Sequence, residues 1–389
     1  MLNFEFCSPT HFVFGKDTEA KTGALVKQYG GTKVLIHYGG GSAVRSGLLD
    51  RVEKSLTEEG ILFETLGGVQ PNPRSSLVYE GIDLCRKTGV DFILAVGGGS
   101  VIDSAKAIAA GVLIDGDFWQ YWETKTPVPA SLPIGTVLTI PAAGSESSHN
   151  SVITNEKTMV KRGTTGQCLR PKFSVLNPEL TFTLPAWQTA SGASDIIAHV
   201  LERYFTNTED VEVTDRLCEA LLLTMVHETP RVIENPTCYE ARANIMWAGA
   251  LAHNNVVGVG REQDWATHAL EHELSALRDV THGAGLAVLF PAWMEKALPH
   301  NPKLFAKMAT RIFGIENTGD DTETGRLGIC AWRDFFHTIG MPSTLRELGM
   351  KEEDLPYMAN RLMLKKDGTF GNFIPLTPAD AEEIYRACF

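Results

Sequence analysis

The chain of 389 residues has no apolar run approaching the roughly 18 residues of a spanning helix, and its basic residues form no cluster. The first absence leaves no candidate membrane segment. The second, with a formal net charge of −12, argues against nucleic acid as the main partner, because a polyanion is repelled. The stretch MLNFEFCSPTHFVFG lacks a basic region followed by a long apolar one, so no targeting segment is read there and a cytoplasmic location is expected. Seven cysteines (Cys7, Cys85, Cys168, Cys218, Cys238, Cys330, Cys388) are scattered and never stand in C-x-x-C spacing, which offers neither a disulfide framework nor a thiolate zinc site. Two familiar signatures are also missing. Val44 and Ile102 occupy the positions where G-x-G-x-x-G needs glycine, and His272-Glu273 does not extend to H-E-x-x-H, so a zincin protease is not indicated.

What remains is a globular composition, 43% hydrophobic and 21% charged, long enough for two domains with separate cores. In the first half short apolar runs alternate with helical patterns. KVLIHY leads to Gly39-Gly40-Gly41-Ser42 and an amphipathic segment containing Arg45. ILFETLGGV precedes a helix opened by Pro71 and Pro73, and VDFILAV leads to Gly97-Gly98-Gly99-Ser100 and VIDSAKAIAAGVL. Such alternation predicts a parallel sheet covered on both faces. Glycines at a strand-to-helix turn let backbone N–H groups approach a phosphate at the positive helix end, although the same glycines also serve a tight turn alone. Asp103 and Lys106 follow on one helix face, a placement that suits a functional site or a solvated ion pair. A third strand, TVLTI, runs into Pro141-Ala142-Ala143-Gly144-Ser145-Glu146. Ser147 to Pro171 reads as polar and irregular, and FSVLNPELTFTLP closes the half with a strand.

Beyond Pro185 long helical segments dominate. The expected division is an α/β N-terminal domain over 1–185, with a parallel sheet, and an all-helical C-terminal domain over 186–389. Asp195 and His199 are one turn apart among Ile196, Ile197, Ala198 and Val200, where an unpaired carboxylate is costly to bury. A metal ion satisfies both, as does a plain Asp–His hydrogen bond. His268 and His272 repeat the spacing, and His282 follows. On one continuous helix His268 and His282 would stand about 21 Å apart, so sharing an ion requires a turn between Asp279 and Gly283. One carboxylate with two or three imidazoles suits Zn²⁺ or Fe²⁺ with a position left for substrate.

In order and spacing, FVFGK, Gly68-Val69-Gln70-Pro71-Asn72-Pro73, AVGGGSVIDSAKAIA, the T-x-P-A-x-G-S-E loop and QDWATHALEHELSA with His282 resemble the iron-containing (group III) alcohol dehydrogenases, in particular their butanol-dehydrogenase-like branch. The resemblance spans the chain. It implies a dinucleotide-binding α/β domain and a helical domain with the active site between them, reversible hydride transfer between NAD(P)(H) and a small primary alcohol or aldehyde, and a homodimer. It places the metal ligands on Asp195, His199, His268 and His282, leaving His272 as a neighbour that handles protons. It puts the pyrophosphate on Gly97, Gly98, Gly99 and Ser100 with Asp103 nearby, and adds Thr139, Ser145, Lys161 and Leu180 to the cofactor surroundings. Ala143 replaces a threonine of the family pattern, and His149 stands where a smaller residue is usual, which makes it a second proton-donor candidate. NAD-selective relatives often end the first glycine-turn strand with an aspartate. Here Gly39, Gly40, Gly41, Ser42 and Arg45 occupy that turn, so NADP(H) is preferred over NAD(H). Two alternatives share the fold: a lyase resembling dehydroquinate synthase, disfavoured because no lysine lies between Asp195 and His282, and a non-catalytic nucleotide sensor.

Overall fold

A computed structural model describes all of residues 1–389. Its chain forms two compact units, Cys7–Thr183 and Leu184–Phe389, the latter joined by Met1–Phe6. The first residues belong there because the Leu2 N–H donates to the Gly260 carbonyl at 2.8 Å. No helix is long and apolar enough to cross a membrane.

The first unit is built on eight strands: β1 (His11–Phe14), β2 (Lys33–Gly39), β3 (Leu62–Val69), β4 (Phe92–Gly98), β5 (Ile134–Ile140), β6 (Asn150–Asn155), β7 (Val160–Thr165) and β8 (Phe173–Leu176). Six form one sheet in the order β1-β8-β5-β4-β2-β3, with every neighbouring pair parallel. β4 is buried along its whole length, as a central strand covered by helices must be, and this is why its sequence reads as an unbroken apolar run. Successive strands build outward from β2 to β3, then cross to β4 and continue to β5. The connections after β2 and β4 therefore leave in opposite directions, and the switch point where an open α/β sheet binds ligands lies between these two strands.

Two local differences from the sequence expectation have simple causes. The segment from Ser147 to Pro171 contains an antiparallel ribbon, β6 with β7, whose SVITN and VKRGTT halves alternate buried and less buried residues too briefly to stand out by period. The helix expected to open at Pro71 and Pro73 begins at Ser75, because Arg74 is still extended.

The second unit is helical apart from one bridge between Phe370 and Leu376. Its centre is the Ala186–Tyr204 helix, buried from Thr189 to Tyr204 on every face, against which the His282–Ala297 helix packs, the two sharing one hydrophobic core.

His37 of β2 is wholly buried, with Nδ1 2.9 Å from the Leu66 carbonyl on β3 and Nε2 2.9 Å from Ser104 Oγ on the helix after β4. Burial depresses it from 6.5 to about 4, the Leu66 bond opposing in part, so the ring is neutral. As pH falls from 6.5 toward 4 the unfolded chain takes up a proton that the folded chain refuses. Stability present above 6.5 is therefore lost, by about 3 kcal/mol in full. The variant His37→Gln, which does not titrate, should show a flatter decline in urea midpoint between pH 7 and pH 4.5; the wild-type slope in this variant would contradict the buried neutral ring.

Candidate active site: a metal centre and a glycine turn

Asp195 and His199 lie one turn apart on the Ala186–Tyr204 helix, both buried. His268 and His272 lie on the Ala266–Arg278 helix, which ends at Asp279 in the left-handed conformation (φ 54°), and His282 then opens the next helix. The reversal falls where the histidine spacing demanded it and returns the His282 ring to within 5.4 Å of the His268 ring. Gly283 decides how closely the new helix approaches. A Cβ there would stand 1.8 Å from the Ser191 carbonyl oxygen, so only a bare backbone lets the helix start press against the helix carrying Asp195.

This packing aims three electron-rich atoms at one another. His268 Nε2 and His282 Nε2 each lie 3.9 Å from Asp195 Oδ1, too far for a hydrogen bond. Asp195 Oδ1 and His268 Nε2 are both buried; His268 Nε2 has no hydrogen-bond partner, and Asp195 Oδ1 has His199 Nδ1 at 3.0 Å. The opposite ring nitrogens face carboxylates: His268 Nδ1 is 3.0 Å from Glu202 Oε1, and His282 Nδ1 bonds to Glu271 Oε2. A carboxylate only accepts, so Nδ1 carries the proton on both rings and Nε2 presents its lone pair. Lone pairs facing an anionic oxygen in a buried space repel unless a cation lies among them. The spacing suits ligand bonds of about 2.0–2.2 Å, and an oxygen with two imidazole nitrogens suits a divalent transition metal.

His199 borders this trio without joining it. Its Nδ1 donates to the Asp195 carbonyl oxygen at 2.9 Å, and its ring stands 4.5 Å from that of His268 and 4.3 Å from that of His253. His272 is half-buried with its ring 5.6 Å from His282, grouped with Glu271 and His282. Burial alone would raise the Asp195 carboxyl, but His199, His282 and His268 outweigh it and hold the group below the ordinary range. His268 is pushed well below 6.5, first by burial and then by His199 and His282, which leaves the neutral imidazole that ligates metals.

Sequence reading passed over Glu202, Glu271 and Trp265. The signal for the glutamates was present: Glu202 falls three residues after His199 and Glu271 three after His268, each on the ligand face of its helix. Trp265 was not foreseeable. It holds a left-handed φ of 71°, rare for so large a residue, with its ring 5.1 Å from that of His268 and the Arg203 guanidinium 4.6 Å above it.

In the turn after β4 the glycines provide space rather than left-handed backbone. A Cβ on Gly97 would meet Val101 Cγ2 at 2.5 Å and one on Gly98 would meet Ile140 Cβ at 2.9 Å, whereas one on Gly99 would find Ala143 Cβ at an ordinary 3.5 Å. Ser100 lies in the first turn of the Gly99–Leu113 helix, whose unpaired N–H groups follow. The other turn adjoins: a Cβ on Gly39 would lie 3.7 Å from Val101 Cγ2. Gly40 is unobstructed, Gly41 has φ 115°, and Ser42 opens the short Ser42–Arg45 helix, with Arg45 Nη1 3.1 Å from where a Gly41 Cβ would stand. Thr139 is the penultimate residue of β5. Lys161, buried on β7, donates to Asn72 Oδ1 at 2.8 Å, and Leu180 packs on the sheet core.

Asp103 and Lys106 are not a solvated ion pair. Lys106 is fully buried and its ammonium donates to the carbonyl oxygens of Ser145, Ser148 and Asn150 at 2.7, 3.0 and 2.9 Å, and to the Ser145 and Ser148 hydroxyls. Asp103 accepts from Ser145 Oγ at 2.5 Å and from the Val152 N–H at 2.9 Å. Together they clamp the loop after β5 onto the glycine-turn helix, and the Ser145 hydroxyl is taken up in the clamp. His149 Nδ1 accepts from Arg170 Nη2 at 3.2 Å.

The Gly283 contact is testable. Gly283→Ala should destabilise the helical unit by about 1–3 kcal/mol or more, since backbone must move, and should lower bound metal by displacing His282. A variant with wild-type thermal midpoint and metal content would show that the close approach is not needed.

Residues 9–178 match the model of the iron-containing alcohol dehydrogenase family, and residues 189–389 match the C-terminal model of the Fe-containing alcohol dehydrogenase family. The chain is 42% identical over 390 residues to NADH-dependent butanol dehydrogenase A of Clostridium acetobutylicum, covering 100% of both. It is 38% identical over 391 residues to the NADPH-dependent aldehyde reductase YqhD of Escherichia coli, again covering 100% of both. The crystal structure of NADH-dependent butanol dehydrogenase A from Thermotoga maritima superposes with a TM-score of 0.96 at 43% identity, covering 100% of this chain and 99% of that one. Two family models across nearly the whole chain, full-length relatives and a shared fold establish that this protein belongs to the iron-containing alcohol dehydrogenase family.

Proposed function

We propose that the chain catalyses reversible hydride transfer between NADP(H) and a small primary alcohol or its aldehyde, of the butanol and butanal kind, using one divalent metal, Fe²⁺ or Zn²⁺, held by Asp195, His199, His268 and His282. The observation that carries this reading is the convergence of Asp195 Oδ1, His268 Nε2 and His282 Nε2 with no proton between them. A cation bound there supplies Lewis acidity toward an alcohol or carbonyl oxygen. Asp195, kept ionised by the surrounding histidines, supplies the charge, and the two Nε2 lone pairs supply direction. His199 borders the trio, its ring 4.5 Å from that of His268, and is the fourth ligand only by family resemblance. His272, beside His282 and half-buried, carries the hydroxyl proton; His149 is the alternative carrier.

For the cofactor, the N–H groups at the start of the Gly99–Leu113 helix bind the pyrophosphate, with Gly97, Gly98 and Gly99 admitting it and the Asp103–Lys106 clamp holding the neighbouring loop. The preference for NADP(H) rests on the turn after β2, which presents no carboxylate to repel a 2′-phosphate and folds Arg45 back over Gly41. Full-length relatives named for either cofactor are similar to this chain, so the turn must be tested directly.

His268→Ala and His282→Ala should each abolish butanal reduction and lower metal content; unchanged turnover and metal in either would remove the assignment. Arg45→Gln should raise KM for NADPH about tenfold, in line with one lost charge-assisted bond of about 1.4 kcal/mol, and leave KM for NADH unchanged. A wild-type enzyme with the higher kcat/KM for NADH, or equal effects on both cofactors, would overturn the NADP(H) preference.

A further inference from the structure

We infer that Glu202 and Glu271 are positioning residues of the metal centre, each fixing the tautomer, direction and basicity of one imidazole ligand. The inference rests on the proposed metal site. Both glutamates are fully buried, and both have a carboxylate oxygen on the Nδ1 of the ring whose Nε2 faces Asp195. An imidazole rotates about two side-chain bonds, and either nitrogen can carry its proton. A buried carboxylate at Nδ1 removes both freedoms, because the other tautomer would set a lone pair against an anion and a ring flip would replace the N–H donor with a C–H. Its negative charge also makes Nε2 a stronger donor toward a cation.

Each carboxylate is itself built in. Glu202 Oε2 accepts from the Trp265 N–H at 2.7 Å, and Oε1 accepts from Thr267 Oγ1 at 2.5 Å and the His268 N–H at 3.0 Å. One side chain on the helix of Asp195 and His199 thus caps the start of the helix that carries His268, where Trp265 supplies no side-chain cap. The two ligand-bearing helices are coupled through a residue that is not a ligand. Glu271 accepts from Ser275 Oγ at 2.5 Å, and its space is left by a glycine on the His282 helix. A Cβ on Gly285 would stand 2.8 Å from Glu271 Cγ and 3.0 Å from Oε1. Thus Gly283 admits the helix to Asp195, and Gly285 admits the carboxylate that orients His282.

The test is metal affinity, read without turnover. Apoprotein is titrated with Co²⁺, followed by its visible absorption, and then with Zn²⁺ in competition. Wild type should bind one equivalent. Glu271→Gln and Glu202→Gln keep side-chain size and remove the charge, and each should weaken Co²⁺ binding about 10- to 100-fold with an altered Co²⁺ spectrum. Glu219→Gln, a buried glutamate held instead by Tyr204, Arg216 and Arg311, should bind as wild type does. Because Glu202 also caps a helix, Glu271→Gln with an unchanged apoprotein melting temperature is the decisive variant. Wild-type affinity and spectrum in Glu271→Gln and Glu202→Gln would overturn the positioning role while leaving the metal site standing. Failure of the wild type to bind one equivalent would overturn the metal site and this inference together.

Discussion

The helical unit depends on one electrostatic demand. A carboxylate oxygen and two imidazole lone pairs are held facing one another with no proton between them, Asp195 and His268 buried and His282 half-buried. Buried polar atoms left in this way cost free energy, and the surrounding structure is built to keep them so. Gly283 allows the backbone approach that brings His282 in, Asp279 makes the reversal, and two buried glutamates hold the far side of each ring. A cation bound there would relieve this repulsion, and its binding would stabilise the fold that holds it.

The α/β unit meets a different demand with the same economy of space. Its two glycine turns follow adjacent parallel strands whose connections diverge, and Gly39 approaches Val101 in the first turn of the helix after Gly99. The wholly buried Lys106 ammonium donates to three carbonyls and two hydroxyls of the loop after β5, and Asp103 completes the arrangement from the same helix. Burial lowers the lysine to about 8, with Asp103 and Glu146 opposing. The clamp keeps the Ser145–Asn150 segment rigid next to the turn through which the backbone N–H groups are offered.

Much of this was legible in one dimension. Strand and helix periods separated the two halves, the glycine clusters marked the ends of β2 and β4, and the length of a helix required a break between His268 and His282. The β6–β7 ribbon escaped because two short polar strands that pair only with each other carry too little periodicity. Glu202 and Glu271 were visible as spacing and yet indistinguishable from solvated helix glutamates, since burial is a property of the packed chain. Trp265 left no mark, because its backbone conformation is imposed by Glu202 and the surrounding rings rather than by local preference.

By itself the sequence determined the residue types at the site, their period along each helix and the need for a turn, since these follow from covalent spacing and helix geometry. Only the tertiary structure decided which atoms face each other. It set His268 and His282 with Nε2 toward Asp195 and left His199 at the border, it committed Lys106 and Ser145 to an internal clamp, and it placed the two glycine turns side by side. The reason is physical: tautomer, ring direction and burial are set by partners far apart in the chain, and contacts such as Glu202 with His268 exist only once the helices have packed.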